Sequence, residues 1–224
     1  MKDLRATRGR RYILDCIAEG EHVRQDFKHS ISDACKIARS ISAFANHSGG
    51  RLLIGVKDNG TVAGVRNEED VYVVEQAAEM YCRPAQRVEF AAFRVDASAV
   101  VIQASVARAT ERPVQARDAA GGWTAYYRVA DENIHAHPLM VAAWRLRAEG
   151  GGGVVLRAGG DESRLLAWVA SCGAEGAAPD AVAPALAMSR ARAAGIIARL
   201  AAIGMLDFIY APGGFRLVSA DLAE

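Results

Sequence analysis

Ile41-Ser42-Ala43-Phe44-Ala45-Asn46-His47-Ser48-Gly49-Gly50-Arg51-Leu52-Leu53-Ile54-Gly55-Val56-Lys57-Asp58-Asn59-Gly60 is the stretch on which the reading of this chain turns. It passes from a helical period to a strand across two glycines. Upstream, Ala34, Ile37, Ala38, Ile41 and Phe44 recur at the spacing of one helix face, so a helix is expected over 33–46, capped by Ser32. Gly49-Gly50 stops it, as glycine does just past a helix end. The same pair could instead present backbone N–H groups to an anion. Asn46 then falls in the last turn, where its side chain would tie the turn together. Arg51 to Lys57 reads as a buried strand, and Asp58-Asn59-Gly60 turns it into Thr61-Val62.

Outward from that stretch the two periods keep mixing. Tyr12, Ile13, Cys16 and Ile17 form one stripe of a helix over 7–18. Val23 to Lys28 alternates as a strand, with Val23 and Phe27 inward and Arg24, Asp26 and Lys28 on the other face. A helix near 69–81 ends before Pro84. Strands near 88–95 and 99–107 flank the hairpin turn Asp96-Ala97-Ser98, further strands span 114–117 and 123–129, and a short helix near 138–148 follows. Without a strict βαβ rhythm, the class is α+β with a mixed sheet.

Glycine then punctuates the chain at 150–153 and 159–160, a density no helix interior tolerates. The expected division is a first domain over 1–148, a linker over 149–160 and a second domain over 161–224. The second domain reads as helices over 161–172, 179–186 and 190–203, the last capped by Ser189. Strands at Met205–Ile209 and Gly214–Val218 follow, around Ala211-Pro212-Gly213-Gly214. Three helices and a hairpin in that order make a winged helix-turn-helix.

Composition narrows the function classes. The 224 residues hold 27 Lys+Arg against 26 Asp+Glu, a net charge of +1, so any nucleic-acid surface is a local patch and not a polycationic field. A hydrophobic fraction of 51% excludes disorder as the main state. No apolar run reaches the length of a membrane span, and the charged start lacks a signal peptide's apolar region. Cys16, Cys35, Cys82 and Cys172 are too scattered for a metal knuckle or a disulfide framework, so reduced thiols in a cytoplasmic protein are expected.

The words Asp26-Phe27-Lys28, Ile41 to Gly50, Leu53 to Gly60 and Gly64-Val65 occur in an order and spacing that resemble the Schlafen AlbA-like domain. Tyr126-Tyr127-Arg128-Val129 followed by Asp131-Glu132-Asn133 is similar to the late strand and turn of that family. The resemblance covers roughly residues 20–137. It implies nucleic-acid binding, and bacterial relatives in which a helix-turn-helix follows are held to be regulators. No Walker-type Gly-x-x-x-x-Gly-Lys-Ser/Thr occurs, so the ATPase function of longer relatives does not carry over.

Some members of the Schlafen group are ribonucleases with three carboxylates. The resemblance places Glu21, Asp26 and Asp58 at those positions, with Asp26 one methylene shorter than the glutamate of active relatives. Such a cluster would hold Mg²⁺ or Mn²⁺ to activate water on a phosphodiester, with Lys28 steadying the developing charge. As plain structure, Asp58-Asn59-Gly60 is a tight turn and Glu21 an exposed loop acid.

Basic side chains suggest phosphate contacts. Residues 1–40 carry nine basic and six acidic groups, and Arg24, Lys28, Arg39 and Arg128 are the candidates in the first domain. In the second, Arg190 and Arg192 open the third helix and Arg216 lies on the wing, where a winged helix meets DNA. Residues 157–224 nevertheless hold six basic against seven acidic groups, which suits a protein contact equally. His135 and His137 lack a third metal ligand nearby, and Trp123, Tyr126 and Tyr127 fit cross-strand packing as well as base stacking. Three functions stand side by side. One is a non-enzymatic DNA-binding transcriptional regulator, homodimeric and needing no cofactor, with RNA as the alternative ligand. The second is a metal-dependent ribonuclease. The third is an interaction module that dimerises through the winged helix.

Overall fold

Asp33, not Ser32, caps the central helix. The computed structural model describes residues 4–65, 69–150, 154 and 156–222. In it α2 runs Ala34–Asn46, and the Asp33 carboxylate accepts the Lys36 N–H at 3.2 Å. An N-cap side chain reaches the third helical N–H, and Ser32 stands one residue too early for that bond. From Ile41 to Asn46 every residue of α2 is buried, polar or not, because both sides of the helix are covered by sheet.

On one side lies a five-stranded mixed sheet in the order β1-β5-β6-β3-β2. Its strands are β1 (Thr7–Arg8), β2 (Gln25–Lys28), β3 (Gly50–Ile54), β5 (Val88–Arg94) and β6 (Val100–Val106). The pairs β1/β5 and β2/β3 are parallel and the others antiparallel. On the other side is an antiparallel sheet in the order β4-β7-β8-β9: β4 (Cys82–Arg83), β7 (Gln115–Arg117), β8 (Trp123–Val129) and β9 (Glu132–His135). The two-residue β1 and the four-residue β9 carry too little pattern to be read from sequence.

Strand alternation divides the core. Leu52 and Ile54 join Ile41 and Phe44 of α2, together with Val74 of α3 (Glu69–Met80), Val114 just before β7, and Ala116 and Tyr126 from the second sheet. Leu53, between them, faces Ile13 and Cys16 of α1 (Arg10–Glu19), with Phe27 and Val101. In the parallel β2/β3 register Phe27 lies beside Leu53 and Asp26 beside Leu52. Asp26 therefore points to the α2 side, and α1 covers only the opposite face.

The glycine pair works as a helix stop. Gly49 donates its N–H to the Phe44 carbonyl at 2.9 Å, so that group is not free for an anion. A Cβ on Gly50 would come within 2.3 Å of the Phe44 ring. The strand expected to reach Lys57 stops at Ile54, because Gly55 turns off the ladder at φ +95°. Beyond it Val56 and Val62 pair across the 57–60 turn.

The chain divides into compact units at His135/Ala136 and not within 149–160. The helix expected to close the first domain, α4 (Pro138–Ala148), packs along α7 (Arg190–Ala202) in the second unit. Arg147 fixes it there by donating to the Ala201 and Ala202 carbonyls at 2.8 and 2.7 Å, at the end of α7 where carbonyls lack helical partners. Of the expected linker, residues 151–153 and 155 lie outside the described residues, and the described remainder is neither helix nor strand.

The second unit continues with α5 (Asp161–Ser171), two single 3₁₀ turns, α6 (Val182–Ala185) and α7, whose cap is Ser189 accepting the Arg192 N–H at 3.2 Å. The antiparallel hairpin β10 (Leu206–Ala211) and β11 (Gly214–Ser219) follows. Leu165, Ile196, Ile197, Leu200, Leu206 and Leu217 are buried there. Among the described residues no helix is long and apolar enough to cross a membrane.

Candidate functional site

Two of the three expected carboxylates meet. Asp26, 5% exposed, accepts from Lys28 Nζ at 2.8 Å and lies 3.5 Å from the Arg128 guanidinium. Glu21 accepts the Phe27 N–H at 2.7 Å, and Asp26 acts on its carboxyl as a neighbouring like charge. Burial first, and then the neighbouring Asp26, hold the Glu21 carboxyl above the usual glutamate range.

Asp58 does not join them. It is exposed in a turn whose Gly60 abuts Ile17 of α1, on the side of the sheet away from Asp26. Among the described residues no three His, Cys, Asp or Glu side chains stand together as a metal site. Mg²⁺ and Mn²⁺ take several oxygen ligands. Here one of the two available carboxylates is already committed to Lys28 and Arg128, so the residues present do not fit the three-carboxylate metal centre.

Arg128, expected at a nucleic-acid surface, is 1% exposed and belongs to the core. Its guanidinium crosses the Phe44 ring at 5.1 Å and donates to the Gln25 carbonyl at 3.1 Å and to Asn133 Oδ1 at 3.0 Å. It also reaches the His22 carbonyl at 3.4 Å. A planar fork with five donors suits this knot of acceptors.

The other candidates differ in freedom. Lys28 also donates to its neighbour's carbonyl, Phe27 O, at 2.7 Å. Arg39 lies 5.8 Å from the Tyr126 ring centroid, with its Nε buried and without a hydrogen-bond partner. Together with Lys36 and Asp131 it lines an open groove of about 430 Å³ beside Asp26. Arg192 is held by Asp161, and Arg199 by Glu162 at 3.2 Å. Arg190 is exposed and, among the described residues, has no hydrogen-bond or ion-pair partner. Arg216 is half-buried on β11.

Arg24 opens onto a larger groove, of about 730 Å³, that the sequence alone does not reveal. It exists because the ten-residue α1 covers only part of its sheet face. The same face continues through Arg51, Gln103, Ser105 and Glu89, paired across β3, β6 and β5, and Arg87 and Arg108 stand at the strand ends. Arg51 is taken by Glu19 at 2.7 Å and Gln25 at 2.6 Å. The polar residues alternating with the apolar core of β5 and β6 are the sequence signal of this face. Which strands lie side by side is not.

The aromatics of β8 pack within the fold. Tyr126 is buried with its ring 5.1 Å from that of His135, Tyr127 lies 4.7 Å from His47, and the Arg83 guanidinium lies 6.0 Å from the Trp123 ring centroid. His137 caps α4 by accepting the Leu139 N–H at 3.2 Å.

Among solved structures the chain is similar to the DIP2311 protein from Corynebacterium diphtheriae, with 22% identity and a TM-score of 0.45. The match covers 93% of this chain and 37% of that one, so the chain spans well under half of that relative's length. It is also similar to the N-terminal domain of an ATP-dependent DNA helicase RecG-related protein from Nitrosomonas europaea. That match has 24% identity and a TM-score of 0.39, covering 55% of this chain and 88% of that domain. No curated protein matches. A family profile described as Schlafen, AlbA_2 matches residues 21–137, more than half of the chain and ending close to the boundary of the first unit. The chain belongs to the Schlafen AlbA_2 family.

Proposed function

We propose that this chain is a nucleic-acid-binding protein that acts as a DNA-binding transcriptional regulator without catalytic activity, as a homodimer in the cytoplasm. Family membership supports the ligand class. The observation that carries the regulator reading is Arg190. It is the first residue of α7 and exposed, and it has no partner among the described residues, whereas Arg192 and Arg199 are tied to Asp161 and Glu162. The order α5, α6, α7 and hairpin is that of a winged helix, in which the N-terminal residues of the last helix reach base edges in the major groove. Arg216 on the hairpin would then lie along a phosphate backbone, and two-fold operators suit a homodimer.

The test is selection of a preferred duplex from a random pool, followed by binding across a salt series. Arg190→Ala is expected to relax the sequence preference while non-specific affinity persists. Undetectable duplex binding at low salt would overturn the regulator. The same duplex and a tRNA are incubated with Mn²⁺ or with EDTA. Metal-dependent cleavage that Glu21→Ala abolishes would replace the regulator with a ribonuclease. A monomeric mass by sedimentation at micromolar concentration would remove the homodimer.

A further inference from the structure

We infer that the part of the five-stranded sheet left open by α1 is a second binding surface, for single-stranded nucleic acid. The inference rests on the nucleic-acid reading of the chain but not on the second unit or on Arg190.

Charge supplies the first argument. Arg24, Arg87 and Arg108 are exposed around one groove of about 730 Å³, and among the described residues none has an ion-pair or hydrogen-bond partner for its guanidinium. The groove's acids do not cancel them. Glu19 is spent on Arg51, leaving Glu89, among the described residues, as the groove's single unpaired carboxylate against three guanidinium groups without partners. Arginines spaced around a polar floor match a phosphate backbone followed over several nucleotides.

The second argument concerns the bases. Tyr12, on α1 at the edge of this face, is 39% exposed, and its ring leans on Phe93 with centroids 5.1 Å apart. Its hydroxyl donates to Gln103 Oε1 at 2.7 Å, and Gln103 Nε2 donates in turn to Ser105 Oγ at 2.9 Å. Gln103 and Ser105 line the groove, so this chain of bonds tethers a partly exposed aromatic ring to its polar floor. A duplex keeps its base faces stacked inside and gains nothing from such a ring. An unpaired strand lays a base on it.

The measurement is fluorescence anisotropy of a labelled 12-nucleotide oligothymidylate with the full chain, across a salt series. The Arg87→Ala/Arg108→Ala double variant is expected to bind at least tenfold more weakly at low salt. Its log–log salt slope should be shallower by about 1.4, roughly 0.7 per lost contact on a single strand. Tyr12→Leu should weaken binding about tenfold with the slope unchanged, and Tyr12→Phe, which keeps the ring but loses its tether to Gln103, should weaken it by only about twofold. Glu89→Gln should bind more tightly. Unchanged affinity in the double arginine variant would overturn the inference, as would equal competition by a duplex or by inorganic polyphosphate at the same phosphate concentration. Arg190→Ala separates the two surfaces. It should leave oligothymidylate affinity intact, and loss there would overturn the assignment to the sheet. Failure of duplex recognition with single-strand binding retained would refute the regulator alone.

Discussion

Asn46 and Val114, 68 residues apart, are joined by two hydrogen bonds through one side-chain amide. Asn46 Oδ1 accepts the Val114 N–H at 2.8 Å and Nδ2 donates to the Val114 carbonyl at 2.7 Å, so the amide stands in for a strand's backbone. Nδ2 also donates to the Tyr126 carbonyl at 2.8 Å, which ties α2 to the second sheet and not to the turn that follows the helix.

Asn46→Ala should therefore destabilise the fold by about 2–4 kcal/mol, since it strands the Val114 N–H and Tyr126 carbonyl in a dry interior. Urea unfolding measures it. Ser42 donates to the same Val114 carbonyl at 2.8 Å and accepts the Tyr126 N–H at 3.0 Å. Ser42→Ala combined with Asn46→Ala should thus be non-additive.

Arg128→Ala should cost about 3–5 kcal/mol, the range for removing one partner of a buried ion pair, here Asp26. Arg128→Lys should not restore stability, because an ammonium cannot reach the Gln25 carbonyl and Asn133 together while lying on Phe44. A thermal melt of both variants decides it. Equal stability of Arg128→Lys and wild type would refute the role.

The raised pKa of Glu21 sets a sign for pH dependence. Burial and Asp26 favour the protonated form in the folded state, so its contribution to stability is full below the ordinary glutamate value. It is lost as pH rises through the higher folded value. Glu21→Gln keeps an acceptor for the Phe27 N–H and cannot ionise. Wild type should lose stability relative to this variant as pH rises from about 4 toward neutrality. A parallel pH course for the two proteins would contradict the raised value.

Burial pushes the Cys82 thiol up to about 12. Its thiol faces the Ala38 carbonyl at 3.7 Å, and only a thiolate reacts at an appreciable rate. Iodoacetamide at pH 8 should therefore modify the half-exposed Cys35 and Cys172 in the native protein and spare Cys82. Peptide mapping after native labelling reads this directly.

Arg190→Ala and Arg192→Ala should separate binding from stability. Arg192 closes an exposed ion pair with Asp161, so its loss should cost about 0.5 kcal/mol. Arg190 has no hydrogen-bond or ion-pair partner among the described residues, and its loss should leave the unfolding midpoint unchanged.

Local signals in the chain were enough for the α+β class, for α2 with its glycine stop, and for the helices and hairpin of the second unit. Each depends on periods and turn residues within a dozen positions of one another. Glu21 and Asp26 stand five residues apart at the entry to a strand, but whether their carboxyls converge was not legible in that spacing. Contacts distant in sequence decided the rest. Asp58 left the carboxylates because its turn folds to the α1 side, and Arg128 turned inward because Gln25, Asp26 and Asn133 offer it acceptors from other strands. The helix at 138–148 went to the second unit because the end of α7 offers carbonyls to Arg147. The open arginine groove appeared only once β5, β6 and β3 lay side by side, since hydrophobic pattern records which face a residue takes but not which strand becomes its neighbour.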